Sequence, residues 1–230
     1  MKVSISQPEH FPYLGFFEKM SHSDLFIILD DVQFSGPRSF QNRNRFLNSQ
    51  GKMQWFTVPV AAGAYHEMIR DVMVAEDYGW RKKLKRTLEC NGLNCDFDKI
   101  YQHEKLIRIN MESIALCREA LGISVPMIYS SELNVSGRKA ERIYNLCKAV
   151  GADTYVSGMG AFSYMEEAKD LFTDVKVCYH QPSVKDYLST LVHISSPERL
   201  TESRKIINGS LFQGGSSDEK KTACFGCTSG

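Results

Sequence analysis

Long hydrophobic runs and a strong net charge are both absent from this sequence. The longest stretch of aliphatic or aromatic residues covers only residues 25–29, whereas a bilayer-spanning helix needs about 20 apolar residues, so we expect no membrane insertion. The formal net charge of the 230-residue chain is +1, which gives no overall attraction to nucleic acid and argues against such a partner. The chain starts without a long apolar segment of the secretory type, so we expect a cytoplasmic protein.

Cysteine pairs with zinc-binding spacing are also scarce. Of the seven cysteines, Cys224 and Cys227 form one Cys-x-x-Cys pair in a polar tail, and the others are scattered in apolar contexts typical of reduced, buried thiols. A structural zinc site needs four ligands, and no second pair lies at a suitable spacing, although His180 and His193 could contribute if the tail folded back. We therefore expect neither a metal nor an organic cofactor.

Acidic residues are missing from one segment, residues 32–66. The same segment contains Arg38, Arg43, Arg45 and Lys52, so it should be locally positive and favour an anionic ligand such as a phosphate or a carboxylate. A solvated basic loop is the simpler interpretation, and the charge pattern by itself leaves both open.

Short apolar runs that alternate with helical periodicity predict an α/β fold. Residues 2–6 and 25–30 have the pattern of strands, and residues 13–22 between them that of a helix. Such a crossover makes the two strands parallel, so that their carboxyl ends share one edge of the sheet. A second βαβ unit is predicted for the strands at 125–129 and 154–157 and the helix at 138–150.

The remaining elements complete this prediction. Strands are expected at residues 55–60 and 175–179, and helices at residues 78–90 and 99–121. We therefore predict a mostly parallel, Rossmann-like sheet with flanking helices. It forms a single domain of residues 1–196, followed by a polar, disordered C-terminal tail of residues 197–230.

Polar side chains cluster at the predicted carboxyl end of the second strand, at the edge where open α/β sheets bind ligands. The members of this cluster are Asp30, Asp31, Gln33, Arg38, Gln41, Asn42, Arg43, Asn44 and Arg45. Gln7 follows the first strand and should lie on the same edge. The amides both donate and accept hydrogen bonds, which suits sugar hydroxyls. We therefore expect these residues to converge around an anionic sugar ligand.

Three residues are candidates for proton transfer. Asp30 or Asp31 could act as a general base, although neighbours on a strand point to opposite faces, so both can serve one site only if the strand has ended. A structural, loop-capping aspartate is the alternative. His10 in the first loop could titrate near neutrality, but a lone histidine is more often structural or merely exposed.

A glycine-containing turn is a further candidate for anion binding. Ser157 and Gly158 begin the stretch Ser157-Gly158-Met159-Gly160-Ala161, which follows a predicted strand, so backbone amides there could hold a phosphate. The dinucleotide fingerprint fails because position 163 is serine. A tight turn that requires glycine is the equal alternative.

An ordered series of motifs resembles the WbqC-like protein family over residues 1 to about 180. The motifs are Ile5-Ser6-Gln7-Pro8, Pro12-Tyr13-Leu14-Gly15-Phe16-Phe17-Glu18-Lys19, Leu29-Asp30-Asp31-Val32-Gln33-Phe34, Gln41-Asn42-Arg43-Asn44-Arg45, Thr57-Val58-Pro59-Val60, Trp80-Arg81-Lys82-Lys83 and Gly151-Ala152-Asp153-Thr154-Tyr155-Val156-Ser157-Gly158. The resemblance implies a product of bacterial surface-polysaccharide gene clusters, including those for the O-antigen of lipopolysaccharide. Some such clusters make amino sugars with an acyl or aminoacyl group on nitrogen, alongside carrier-protein and adenylating partners. The sequence departs from the family pattern at Val192, where an aspartate is expected.

Two functions of different classes follow. The first is a transferase that adds an acyl or aminoacyl group to a nucleotide-linked amino sugar, with an acyl-carrier protein as possible donor. Arg38, Arg43 and Arg45 would hold the diphosphate, and Asp30 or His10 would take the proton from the amine. The second is a non-catalytic module that binds a nucleotide sugar or assembles the pathway. Nucleotidyl transfer is disfavoured, because the chain lacks a His-x-Gly-His signature.

Overall fold

Two sheets organise the chain in the computed structural model, which describes residues 1–212 and 222–225. The strands in chain order are β1 (Lys2–Ser6), β2 (Leu25–Ile28), β3 (Arg43–Leu47), β4 (Met53–Thr57), β5 (Met127–Tyr129), β6 (Thr154–Gly158), β7 (Lys176–His180) and β8 (Thr222–Phe225). The larger sheet has the order β5-β2-β1-β6-β7-β8, and β3 pairs with β4 in a separate antiparallel hairpin. The first five strands of the larger sheet are parallel, which confirms the predicted mostly parallel architecture, and β8 is antiparallel to β7.

Helices cover both faces of the larger sheet. They are α1 (Leu14–Ser21), α2 (Trp80–Glu89), α3 (Phe97–Tyr101), α4 (Leu106–Leu121), α5 (Lys139–Ala149), α6 (Phe162–Glu167), α7 (Thr190–Ile194) and α8 (Pro197–Phe212). Alternate residues of a strand point to opposite faces, so β2 supplies Phe26 and Ile28 to one core and Ile27 to the other. The first core includes α1, α4 and the β3–β4 hairpin, and the second includes α5 and α6. No helix in these described residues is long and apolar enough to span a membrane.

The two predicted βαβ units differ in where their strands lie. In the first unit β1 and β2 are direct neighbours, with Ser6 opposite Ile28, so Gln7 and the aspartates do follow adjacent strand ends. In the second unit β5 and β6 are parallel, but β2 and β1 lie between them. The strands β2 and β5 are therefore added in turn on one side of β1. Helix α5 then connects β5 to β6, which lies on the other side of β1. This change of direction creates a topological switch point between β1 and β6.

One predicted helix is interrupted. The sequence suggests a continuous helix over residues 99–121, whereas the structure has α3 and α4 with residues 102–105 between them. These intervening residues pair with an extended segment instead, because the Val74 amide donates to the Glu104 carbonyl at 2.8 Å and the Leu106 amide to the Val72 carbonyl at 2.9 Å. Tertiary hydrogen bonds thus override helical periodicity here.

The end of the chain also differs from the prediction. The segment after residue 196 was expected to be a disordered tail, but α8 extends from Pro197 to Phe212 and buries Ile207 in the first core. In addition, β8 adds an edge strand to the sheet at Thr222–Phe225. The ordered fold therefore continues past residue 196. The predicted disorder at residues 213–221 and 226–230, and the role of Cys227, lie outside the described residues.

Candidate functional site

A cavity of about 530 Å³ opens at the carboxyl ends of β1, β6 and β7. Its lining comes from the last residues of these three strands, from the segments that follow them, and from α1. The residues are Ser6, Glu9, Tyr13, Gly15, Phe16, Lys19, Gly158, Met159, Gly160, His180, Gln181, Pro182, Lys185 and Tyr187. The cavity therefore straddles the switch point between β1 and β6, which is the position where open α/β sheets bind ligands.

The first turn of α1 lines this cavity and lies close to Tyr13 and Pro182. Gly15 permits the approach, since a Cβ at this position would lie 2.4 Å from the Tyr13 ring and 2.8 Å from Cβ of Pro182. The Gly15 amide donates to no residue that the structure describes, as is normal for the first turn of a helix. A free amide at a helix start, beside a cavity, can bind an anionic group.

Glu9 is the carboxylic acid in the lining of the cavity. Its carboxyl makes no hydrogen bond or direct ion pair with any described residue. Burial raises the pKa of Glu9 to about 7, and the nearby positive charge of Lys19 limits the rise. A carboxyl group that titrates near neutrality, and whose oxygens are not occupied by the protein, can accept a proton from a bound ligand.

Lys19 places a positive charge in the same cavity. The side chain is only 8% exposed, and its ammonium donates to the Ile5 carbonyl at 2.9 Å and to the Ser6 hydroxyl at 2.5 Å. Burial lowers the pKa of Lys19 to about 8, while the Glu9 carboxylate opposes this shift. The two groups thus share one cavity, and each favours the charged form of the other.

The loop that carries Glu9 is held in place by amide side chains. Gln41 donates to the Gln7 side-chain oxygen at 2.7 Å, and Asn44 donates to the carbonyls of His10 at 3.2 Å and Phe11 at 2.7 Å. Asn110 from α4 donates to the Pro8 carbonyl at 3.0 Å. These amide side chains, which we call the amide framework, therefore fix the residues on both sides of Glu9.

Asn42 belongs to the same framework, since it donates to the Val58 carbonyl at 2.9 Å. The structure thus brings Gln7 and Gln41 into contact, and the hydrogen bonds of these amides and of Asn44 are made within the protein. Sequence reasoning missed Asn110, a fully buried amide on the core-facing side of α4. The signal available in the sequence was an asparagine at a helix position that the periodicity of α4 assigns to the core.

His10 lies in the core. It is fully buried between the rings of Phe11, Phe56 and Tyr101, and its Nε2 lies 3.2 Å from the Tyr101 hydroxyl. Burial lowers the pKa of His10 to about 3, so the imidazole is neutral at physiological pH. His10 is not among the residues that line the cavity at the switch point.

The two aspartates lie on the β5 side of β2. Asp30 accepts hydrogen bonds from the Ser131 amide at 3.0 Å and the Ser131 hydroxyl at 2.7 Å, and Asp31 accepts from Ser130 and pairs with Arg142. Burial raises the pKa of Asp31, but the interactions with Ser130 and Arg142 outweigh it, so the pKa lies below its ordinary value. The structure therefore separates the aspartates from the cavity between β1 and β6.

The arginines lie on and near the β3–β4 hairpin. The Arg43 guanidinium is 4.1 Å from the centre of the Trp55 ring, which is a cation–π distance. Arg45 lies 5.6 Å from the same ring and donates from Nε to the Tyr187 carbonyl at 3.2 Å. Arg38 is exposed. None of the three lines the cavity at the switch point.

Of the other predicted binding residues, Gly158 lines the cavity, and Ser157 and Gln33 donate hydrogen bonds to backbone carbonyls. Gly158 lines the cavity, whereas Ser157 is fully buried and donates to the Gly158 carbonyl at 3.2 Å. Gln33 is exposed and donates to the Tyr65 carbonyl at 2.8 Å. The glycine turn after β6 is thus the predicted element that reaches the cavity directly.

A buried glutamate holds the loop after β7 against α1. Glu18 is only 2% exposed and accepts hydrogen bonds from the Ser183 amide at 2.9 Å and the Ser183 hydroxyl at 2.5 Å, and His180 Nε2 lies 3.7 Å from it. Burial raises the pKa of Glu18, but the interactions with His180 and Ser183 outweigh this, so the pKa is lowered. Sequence reasoning missed both Glu18 and Lys19, although two charged residues within an apolar helix were the signal.

Comparisons with known proteins give one family match and one curated relative. The model of the WbqC-like protein family matches residues 7–191. The uncharacterized protein Rv1507c of Mycobacterium tuberculosis is 36% identical over 178 residues, which is 72% of this chain and 76% of that protein. No solved structure matches. The family match includes the loop of Glu9, helix α1, the amide framework and the turn after β6.

Proposed function

The chain belongs to the WbqC-like protein family, and we propose that it transfers an acyl or aminoacyl group to the amino group of a nucleotide-linked amino sugar, in bacterial surface-polysaccharide (O-antigen) biosynthesis. One observation carries the catalytic part of this proposal. Glu9 and Lys19 face a single cavity at the switch point of the sheet, and the pKa of Glu9 is about 7. A base poised near the working pH is what the deprotonation of an attacking amine requires.

The acceptor would bind with its diphosphate near the start of α1. The free Gly15 amide, the turn at Gly158 and Gly160, and the Lys185 side chain all line this part of the site. Helix amides and lysine ammonium groups are common ligands for phosphate oxygens. The amino sugar would then extend along the cavity towards Glu9.

The donor would be an acyl thioester, with an acyl-carrier protein as a candidate carrier. In the transfer step the amine nitrogen attacks the thioester carbonyl, so that a C–N bond forms and the C–S bond breaks. Glu9 accepts the proton that the nitrogen loses and returns it to the departing thiolate. The positive charge of Lys19 favours the oxyanion that develops on the carbonyl.

Glu9 takes the role of base in this proposal in place of His10, Asp30 and Asp31. The alternative residues already have structural partners, and His10 is neutral and buried. The arginines Arg43 and Arg45 would act on the site indirectly, through Trp55 and Tyr187.

The test is a transfer assay on the purified protein. A panel of nucleotide-linked amino sugars and acyl thioesters is incubated with the wild type, with Glu9→Gln and with Glu119→Gln, an exposed glutamate of α4, and products are read by mass. We expect an acylated sugar nucleotide with the wild type and Glu119→Gln, and a loss of turnover of at least about 100-fold with Glu9→Gln. Equal turnover by Glu9→Gln and the wild type would remove Glu9 from the chemistry.

A non-catalytic nucleotide-sugar-binding module is the second candidate. It is favoured by the internal pairing of Asp30 and Asp31, which leaves fewer free acid–base groups than the sequence suggested. In this case the wild type would bind sugar nucleotides in calorimetry, and no combination of acceptor and thioester would give a product.

A further inference from the structure

A second, smaller cavity adjoins the first. It has a volume of about 250 Å³ and is lined by Glu9, Tyr13, Phe40 and Tyr187. Three of these residues, namely Glu9, Tyr13 and Tyr187, also line the cavity at the switch point. The two cavities are therefore adjacent, and Glu9 is part of the boundary that they share.

Apart from Glu9, the residues that line the second cavity are aromatic. Phe40 is 42% exposed and Tyr187 46% exposed, while the rings of Tyr13 and Tyr187 lie 5.5 Å apart. Among the residues that the structure describes, no cationic side chain is part of this lining, in contrast to Lys19 and Lys185 in the first cavity. Aromatic side chains left open to solvent around a cavity favour an apolar ligand group over a phosphate.

Tyr187 is held in a conformation that costs free energy. Its φ angle is 49°, in the left-handed region that residues other than glycine rarely adopt. Arg45 stabilises this arrangement, because its Nε donates to the Tyr187 carbonyl at 3.2 Å while its own carbonyl accepts from the Ser189 amide at 3.0 Å. Strain of this kind persists where the surroundings impose it, and it is concentrated at functional sites. Arg45 thus holds the backbone at Tyr187 and Ser189.

We infer that the second cavity is the acyl subsite, which binds the short, apolar acyl chain of the thioester donor. This inference rests on the proposed transferase function and deepens it. The acceptor amine lies in the first cavity, the acyl chain in the second, and the thioester carbonyl at the boundary beside Glu9. A base that removes the proton from the amine during attack must lie at that boundary.

The size of the cavity predicts selection by chain length. Each methylene that the cavity buries contributes about 0.8 kcal/mol, which corresponds to about a fourfold increase in kcat/KM. Acetyl, propionyl, butyryl, hexanoyl and octanoyl thioesters of N-acetylcysteamine are compared with one acceptor. We expect kcat/KM to rise along the series and to fall again once the chain exceeds the cavity.

Substitutions of Phe40 sharpen this test. Phe40→Ala enlarges the cavity and should move the preferred acyl chain to a longer member of the series, and Phe40→Trp should move it to a shorter one. Tyr78→Ala is the matched control, because Tyr78 is an aromatic residue that is 89% exposed and lines neither cavity. A merely structural role of Phe40 would lower all rates together. An unchanged chain-length profile in both Phe40 variants, with transfer retained, would overturn the acyl subsite and leave the transferase proposal intact.

A binding measurement separates the two proposals if no transfer is found. The chain has two tryptophans, and Trp55 lies 5.9 Å from Phe40 between ring centres, so its fluorescence in a Trp80→Phe background reports on the second cavity. We expect the N-acetylcysteamine thioesters to change this fluorescence with an affinity that rises with chain length. A response that is independent of chain length, or one caused by uridine diphosphate and abolished by Phe40→Ala, would contradict the acyl subsite and assign the cavity to another ligand.

Discussion

The Glu9 carboxyl and the Lys19 ammonium line the same cavity, and the charge of Lys19 limits the rise in the pKa of Glu9 to about 7. Glu9 lies in the loop after β1. Lys19 lies on α1, the helix that follows this loop and packs back against β1. Their proximity is therefore a consequence of the first βαβ unit. It produces a base and a positive charge that both respond to pH in the neutral range.

Glu9→Gln should stabilise the protein at neutral and alkaline pH. The folded pKa of Glu9 is about 7 and the unfolded value 4.5, so folding becomes less favourable as the pH rises from about 4.5 to about 7. Below pH 4.5 the wild type and the variant should have similar free energies of unfolding. Above pH 7 the variant should be more stable by up to about 3 kcal/mol. Urea unfolding between pH 4 and pH 9 measures the difference in the free energy of unfolding. For the control Glu119→Gln, the difference from the wild type should not change with pH.

Lys19→Met should move the pH dependence of the transfer reaction. Removal of the positive charge leaves burial unopposed, so the pKa of Glu9 rises further. The acid limb of the profile of kcat/KM should shift by about one pH unit towards higher pH. Lys205→Met, which alters an exposed lysine of α8, should leave the profile in place. An acid limb that stays at the same pH in Lys19→Met would show that Lys19 does not act on the base.

Gly15→Ala should distort the site. The new Cβ would lie 2.4 Å from the Tyr13 ring and 2.8 Å from Pro182, so the loop after β7 must move away from α1. We expect a destabilisation of about 1–3 kcal/mol and weaker binding of the sugar nucleotide. Gly209→Ala on α8 adds a Cβ with no atom of the described residues within 4 Å, and should be neutral or slightly stabilising. Thermal unfolding and calorimetric titration of the two variants provide the measurement.

Asp31→Asn tests whether Asp31 is structural or catalytic. Loss of the partner of Arg142 should lower the free energy of unfolding by about 1–3 kcal/mol, with sugar-nucleotide binding retained. Because the pKa of Asp31 is lowered from 3.8, its stabilising effect is present above pH 3.8 and is lost as the pH falls through the folded pKa. The difference between wild type and variant should therefore persist at pH 7 and pH 5 and shrink at about pH 3. Asp170→Asn, an exposed aspartate, is the control. Unchanged stability with abolished turnover would instead support the catalytic role that the sequence suggested.

The first βαβ unit is where sequence reasoning was most successful. The apolar run of residues 25–29 and the helical spacing of Leu14 and Phe17 depend on local periodicity, so β1, α1 and β2 were found within one or two residues. Local patterns do not reveal tertiary pairing, however. The break between α3 and α4 results from hydrogen bonds to Val72 and Val74, which are distant in sequence.

Several of the side chains that the sequence suggests as ligand-binding make hydrogen bonds within the protein. The cluster of Gln41, Asn42 and Asn44 marked a polar feature correctly, yet a free amide that binds a sugar and a buried amide that holds a loop have the same sequence signature. Glu9 was overlooked, because nothing in the sequence states that a half-buried carboxyl group will line a cavity without a hydrogen-bond partner among the described residues.

The sequence by itself determined the parallel α/β architecture and the polar character of the strand ends, since both follow from side-chain periodicity and from the chemistry of neighbouring residues. Only the tertiary structure decided that β6 lies beside β1, and hence that Glu9 and Lys19, and not Asp30 or Asp31, line the cavity between these strands. Strand order depends on which distant surfaces pack together, and the pKa of a carboxyl group depends on the burial and charge that this packing creates.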